Sequence, residues 1–319
     1  MKRRDFITLL GGSVSAWPSL ARAQTPNRVY RLGHLGNTAP TEALTRETTL
    51  PELARLGFVE GRNLIFDARV GEPDTLPGLM RELVAARPDA VIAIGAPAIA
   101  AAAATRTVPI VTFGADPVQL GLAASYARPG GNVTGVVILI SELEVKRLSM
   151  LREAMPERRR VAVLTSPATA PGEAALRQAA AGLGVDLVIV SVTTPGEYRS
   201  AFAAMQAAGA EALLISATSA FFRDGRQLAA LALEARLPTM CEWAEMAQTG
   251  CLFGYGPKRV ALRRRMADQI ARIFRGTPPG EIAIEQPTAF EFAVNQRVAK
   301  ALNVSIPFAL LTQADEVFD

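Results

Sequence analysis

The side chains that could do chemistry are few, and their types narrow that chemistry at once. A single histidine, His34, stands in 319 residues. Sites built on several imidazoles, such as an HExxH zinc centre, are thereby excluded. Any Ser-His-Asp triad would have to use His34, and no G-x-S-x-G elbow supplies its serine. No G-x-x-x-x-G-K-[ST] phosphate loop and no G-x-G-x-x-G helix opening occurs either. His34 closes the first apolar run, just before Gly36 and Asn37. There it is expected to contact a ligand or to hydrogen-bond a loop, since doubly wound sheets bind ligands at such strand ends.

Cys241 and Cys251 are the only cysteines, too few for a disulfide scaffold or a four-cysteine zinc site. An oxidising compartment would invite a disulfide, and the pair also resembles the two-cysteine arrangement of cofactor-independent racemases. Cys241 lies near the end of one apolar run, and Cys251 begins the next. If those runs are parallel neighbouring strands, the thiols fall at opposite edges of the sheet, too far apart to bridge. They are expected to stay unlinked and to pack as small hydrophobes. Neither a metal nor a cofactor is expected.

Four places where a strand gives way to a helix are more informative. Gly95-Ala96-Pro97 puts proline in a first helical turn, where its missing N–H does no harm. Gly114-Ala115-Asp116-Pro117 repeats the device with Asp116 as a cap, and Thr165-Ser166-Pro167 and Ser216-Ala217-Thr218-Ser219 do so further on. Helix N-termini offer free N–H groups and partial positive charge, which suit a carboxylate. An ammonium group on the same ligand would need an acid, with Asp116 and Glu242 as candidates. A sugar would need aromatic stacking, with Trp243 and Tyr255 as the main candidates, and is the less expected ligand.

These residues hang on a regular alternation. β-rich runs at 29–35, 64–70, 90–95, 110–114 and 133–139 are followed by a second series at 161–165, 187–192, 212–216, 239–242 and 251–254. Helical stretches such as 41–56, 75–86, 142–155, 174–183 and 196–208 lie between them. Strands alternating with helices of this length predict βαβ units and parallel sheets. Two sets of about five strands predict an α/β protein of two doubly wound, Rossmann-like lobes joined by a multi-strand hinge. Lobe one is expected at 24–139 plus 256–280, and lobe two at 140–255 plus 281–319.

Residues 1–23 have the form of an export signal: Lys2-Arg3-Arg4, an apolar stretch from Phe6 to Leu20, and the Ala21-Arg22-Ala23 cleavage pattern. The apolar stretch is too short for a span and is broken by Gly11-Gly12 and Pro18. Arg3-Arg4-Asp5-Phe6-Ile7 resembles a twin-arginine signal. Export would leave Gln24 as the first residue, in the periplasm. Four of the 34 Lys and Arg and one of the 30 Asp and Glu lie in the leader, so the remainder carries 30 against 29. A nearly neutral chain gives no argument for nucleic acid.

Leu56-Gly57-Phe58-Val59-Glu60-Gly61-Arg62-Asn63, Asp116-Pro117-Val118, Ala127-Arg128-Pro129-Gly130-Gly131-Asn132-Val133-Thr134-Gly135, Gly254-Tyr255-Gly256-Pro257, Glu285-Gln286-Pro287-Thr288 and Ala314-Asp315-Glu316-Val317 carry a family resemblance. The chain resembles ABC transporter substrate-binding proteins related to tryptophan/tyrosine uptake components, with the type 1 periplasmic-binding fold. The resemblance implies capture of a small-molecule solute between two lobes, delivery to an ABC permease in the inner membrane, and no enzymatic activity. By position, it implies lobe-one contacts from His34, Gly36, Asn37, Gly95, Ala96, Pro97 and Asp116. It implies lobe-two contacts from Ser166, Ser216, Thr218 and Glu242, with Trp243 and Tyr255 nearby. The solute would bear a carboxylate, as an amino acid or an aromatic acid, and the receptor would be monomeric. A periplasmic ligand-sensing protein, or an exported enzyme on the same architecture, is the alternative.

Overall fold

Five short runs build the first sheet: β1 (Tyr30–Gly36), β2 (Leu64–Val70), β3 (Ala90–Ile94), β4 (Ile110–Gly114) and β5 (Val133–Val137), the last three rich in β-branched residues. All are parallel, in the order β2-β1-β3-β4-β5. The computed structural model describes residues 28–319 apart from Thr38, Ala96, Ala115, Ala168, Ala170 and Pro171. The leader at 1–23, the expected terminus Gln24 and the candidate Ala96 lie outside the described residues.

The first sheet is flanked by α1 (Ala39–Leu44), α2 (Leu50–Arg55), α3 (Leu76–Ala85) and α4 (Pro97–Ala104). A π-helical turn, Thr45–Thr49, joins α1 to α2. The buried positions of this stretch include Thr41, Thr45 and Thr49, so a threonine face rather than an aliphatic one lies towards the sheet.

The second sheet repeats the plan. It contains β6 (Arg160–Thr165), β7 (Asp186–Ser191), β8 (Ala212–Ile215), β9 (Thr239–Cys241) and β10 (Phe253–Pro257), extended by β11 (Phe290–Asn295) and β12 (Glu316–Phe318). Its order is β12-β11-β10-β9-β8-β6-β7, parallel except where β11 runs against β10. The stretch β7-β6-β8-β9-β10 therefore matches β2-β1-β3-β4-β5. The fold is the expected pair of doubly wound lobes, each with a switch point beside its first strand.

The chain crosses between lobes three times. After β5 it enters α5 (Ile140–Ala154), which packs on α6 (Glu173–Leu183) and β9. After β10 it returns as α11 (Arg259–Phe274), which lies on β3, β4, β5 and α2. The helices between are α7 (Tyr198–Ala207), α8 (Ser219–Arg223), α9 (Gly225–Glu234) and α10 (Ala244–Gln248), and α12 (Gln296–Leu302) and α13 (Phe308–Gln313) follow. Apolar α11 side chains Leu262, Met266, Ile270 and Phe274 join the core of the first sheet, Phe274 stacking on Tyr30 at 4.9 Å. Among the described residues no helix is long and apolar enough to cross a membrane.

Two expectations need correction. Residues 281–285, assigned above to lobe two, run along β5: Thr134 Oγ1 donates to the Ile282 carbonyl at 2.7 Å, and Glu285 bridges Val136. The third crossing therefore falls after Glu285. Cys241 and Cys251 are joined by a disulfide, with Cα atoms 6.5 Å apart, inside the range a bridge needs. β9 and β10 are parallel neighbours, as expected, but pair over two residues only, Met240 with Phe253 and Cys241 with Gly254. Cys251 lies ahead of β10, and its N–H donates to the Met246 carbonyl at the end of α10. The backbone there turns across the sheet edge instead of continuing along the strand.

The Gly-Gly-Asn-Val-Thr-Gly run serves the seam rather than a ligand. Gly130 (φ +75°) donates its N–H to Gly280 O, and Asn132 Nδ2 donates to Thr105 O and Val108 O. Gly135, with φ +149°, has no room for a side chain: a Cβ would stand 2.2 Å from the Thr112 carbonyl oxygen.

Candidate functional site

The two switch points face one another. Asn37, Gly95 and Pro97 lie beyond the carboxyl ends of β1 and β3, and Ser166, Ser216 and Thr218 beyond those of β6 and β8. A Cβ on Gly95 would come 4.0 Å from Ser219 Oγ, so the loop after β3 approaches the start of α8 in the other lobe.

In lobe one His34 is wholly buried, its ring 5.9 Å from that of Phe66. Leu32, His34 and Gly36 point to one face of the strand, and Gly36 is small because a Cβ would lie 2.8 Å from His34 Nε2. Neither ring nitrogen has a hydrogen-bond partner among the described residues. Burial, with the charges of Arg263 and Arg46, pushes the imidazole pKa down to about 3, so the ring is neutral. Arg263 of α11, only 3% exposed, places its guanidinium 4.2 Å over the Phe113 ring. Its Nη1 reaches Thr45 Oγ1 at 3.5 Å, while Nε has no partner. Burial, reinforced by Arg259, pushes its pKa down to about 9. The Oδ1 of Asn37 and Oγ1 of Thr49 are likewise buried without partners.

Lobe two answers with acids and one arginine. Glu144 and Arg147 project from α5, and both are buried. The Ala217 N–H donates to Glu144 Oε1 at 3.3 Å. Arg147 Nε donates to Tyr255 O at 2.7 Å and Nη2 to Glu242 O at 3.0 Å, leaving Nη1 unpartnered. Burial raises the Glu144 carboxyl and pushes Glu242 up to about 8, against the pull of Arg147 on each. Burial lowers the Arg147 guanidinium, against the opposite pull of Glu242 and Glu144. Ser216 is buried here beside Glu144, and its hydroxyl lowers the carboxyl pKa against the effect of burial. Gly254 and Gly256 let residues 242–243 approach β10, since a Cβ on either would stand 2.2 Å or 2.1 Å from a carbonyl oxygen of Trp243 or Glu242.

The other candidates are placed as follows. Trp243 is buried beneath Arg259, whose guanidinium lies 5.3 Å from its ring and 4.3 Å from that of Phe222. Arg259 also pairs with Glu245 at 3.4 Å. Tyr255 stacks on Phe290 at the hinge, with ring centroids 5.9 Å apart. Thr218 caps α8, its Oγ1 accepting the Phe221 N–H. Ser166 is half-buried in a turn closed by Thr169. Asp116 is committed to its own loop: Oδ1 accepts the N–H groups of Val118 and Gln119, and Oδ2 accepts the Tyr126 hydroxyl at 2.6 Å.

Sequence reasoning missed Glu144, Arg147, Arg259 and Arg263. The available signal was a charge on the apolar stripe of a long helix: Arg263 follows Leu262 and precedes Met266, and Glu144 and Arg147 alternate with Leu143, Leu148 and Leu151. Among the described residues no group of three or more His, Cys, Asp or Glu could hold a metal ion.

Known proteins resemble the chain over most of its length. A curated tyrosine-binding protein of Clostridioides difficile is 22% identical over 255 residues, 78% of this chain and 73% of the relative. A conserved domain protein from Vibrio cholerae superposes with TM-score 0.85 at 25% identity, over 91% of this chain and all of that one. A Streptococcus pneumonia ABC domain in complex with L-Trp gives 0.82 at 20% identity, with the same coverages. A ligand-free, open substrate-binding protein from Clostridium difficile gives 0.66 at 22%, over 91% and 99% of the two chains. The family described as ABC transporter substrate binding protein matches residues 40–318. Across these two lobes and three crossings, the chain belongs to the ABC transporter substrate binding protein family.

Proposed function

We propose that this chain is the solute receptor of an ABC importer, exported to the periplasm after loss of residues 1–23 and acting there as a monomer. Its solute is a small amino acid or aromatic acid held between the lobes. The observation that carries this reading is the set of buried, unpartnered polar atoms contributed from both sides: His34, Asn37 and Arg263 from one lobe, Arg147 from the other. Leaving each of these groups unmatched costs on the order of 1–3 kcal/mol. A ligand with both a carboxylate and an ammonium group would satisfy Arg263 on one side and Glu144 or Glu242 on the other. The relatives that bind tyrosine and L-Trp support the amino-acid class. Closure on the solute would give the permease a form distinct from the open one.

The test is a thermal-shift screen of the mature protein against the twenty amino acids, benzoate and simple sugars, followed by Trp243 emission with whatever binds. Stabilisation by an amino acid or aromatic acid, with a change in emission, is expected. Stabilisation by sugars alone would refute the solute class, and a mass for periplasmic protein that retained Met1 would refute the export step.

A further inference from the structure

We propose that Arg263, assisted by His34 and Thr45, is the anchor for the solute carboxylate, so that lobe one alone recognises the acid end of the ligand. The proposal rests on the receptor reading and specifies its chemistry. A helix start was the expected carboxylate site, but Thr218 already caps α8. Arg263 is different in kind. It sits one turn into α11 on the buried face, among Leu262, Met266 and Ile270.

Arg263 forms no ion pair with a carboxylate among the described residues, and the charge that acts on it is a second cation, Arg259. A buried arginine without a counter-ion is costly, because desolvation is not repaid by any partner. An arriving carboxylate repays it, and the planar fork of the guanidinium matches two carboxylate oxygens at once. Thr45 positions the fork: its hydroxyl donates to Thr41 O at 2.9 Å, and its lone pair accepts Arg263 Nη1 at 3.5 Å. His34, neutral and with both nitrogens unpartnered, can donate one N–H to an anion without adding a charge that would repel Arg263. Thr41, Thr45 and Thr49, spaced four apart, share the buried face of this stretch, so the wall opposite Arg263 is hydroxyl-bearing rather than aliphatic. Phe113 lies 4.2 Å under the guanidinium and attracts its charge through the ring face.

The experiment uses mature protein with L-tryptophan and L-tyrosine and the corresponding amides, which keep the ring and the ammonium group but lack the carboxylate charge. Wild type is expected to bind an acid about a hundredfold more tightly than its amide, the scale of a desolvated charge pair. In Arg263→Gln that preference is expected to vanish, with acid and amide binding equally. The single histidine gives a second readout: the imidazole nitrogen resonances of His34 should move with the acid and stay in place with the amide. If Arg263→Gln fails to fold, Arg263→Lys keeps the charge without the fork, and its acid-to-amide ratio should drop about tenfold. A folded Arg263→Gln, or Arg263→Lys, that keeps the wild-type ratio overturns the anchor while leaving the receptor reading intact. A wild type that binds neither acid overturns the anchor, and the receptor reading falls with it only if the wider screen also finds no amino acid or aromatic acid that binds.

Discussion

Acidification should unfold this protein from lobe one, through His34. The ring is buried and its pKa stands at about 3 in the folded chain, against 6.5 as the ordinary value. The unfolded chain therefore takes up a proton on this histidine at a pH where the folded one refuses it. Stability contributed above 6.5 is lost as pH falls through that value, and the loss levels off only near 3. Linkage gives about 2 kcal/mol lost between pH 7 and pH 5, and about 3 by pH 4. Carboxylates titrate in the same window, and Glu144 and Glu242, with raised pKa values, act in the opposite sense. A comparison with His34→Gln removes those shared contributions. Urea unfolding at pH 7, 6, 5 and 4 should show wild type losing about 2 kcal/mol more than the variant by pH 5. Equal pH dependence in the two proteins would show that His34 is solvated, and the closed arrangement of β1, α1 and α11 around it would be wrong.

Glu242 makes the opposite prediction: its stabilisation is complete below pH 4.5 and is lost as pH rises through about 8. Glu242→Gln should flatten the stability profile between pH 4.5 and about 8, and an unchanged profile would place that carboxylate in water. Alkylation of unfolded, unreduced protein should label neither Cys241 nor Cys251, and reduction should cost about 2–3 kcal/mol for a loop of this size. Two labelled thiols would mean that the bridge does not form. Asp116→Ala should lower stability by about 1–2 kcal/mol through its lost loop hydrogen bonds, while solute affinity stays at the wild-type value. Weaker solute binding without loss of stability would return Asp116 to the ligand.

Much of the architecture was legible because it rests on local patterns. Strand and helix periods alternate plainly, and glycine, proline and hydroxyl residues mark the strand-to-helix turns at both switch points. The charged centre of the candidate site was not. Arg263, Arg264 and Arg265 form one run in sequence, and only the packing of α11 sends the first inward while Arg264 pairs outside with Glu52. Glu144 and Arg147 are three apart, the spacing of an ordinary surface ion pair. Their burial is set by β9 and the segment 242–257, more than ninety residues further on. The disulfide escaped for the same reason: where Cys251 leaves the line of its strand depends on a two-residue pairing that no propensity reports.

The late return of the chain to the first lobe has a consequence for its birth. The strands of the first sheet are complete by Val137, yet the helix that covers one of its faces begins only at Arg259. The segment that hydrogen-bonds along β5 ends at Glu285. Until then Leu32, Leu53, Phe58 and Val136 lack the apolar cover of Leu262, Met266 and Ile270. A growing chain cannot finish lobe one and then lobe two in order of synthesis. Both lobes mature together, after nearly the whole polypeptide is present, and the contacts that close lobe one are among the longest in sequence. Such a chain folds slowly and exposes an uncovered sheet face meanwhile. Truncation before residue 259 should therefore yield an aggregating fragment, not a small soluble lobe.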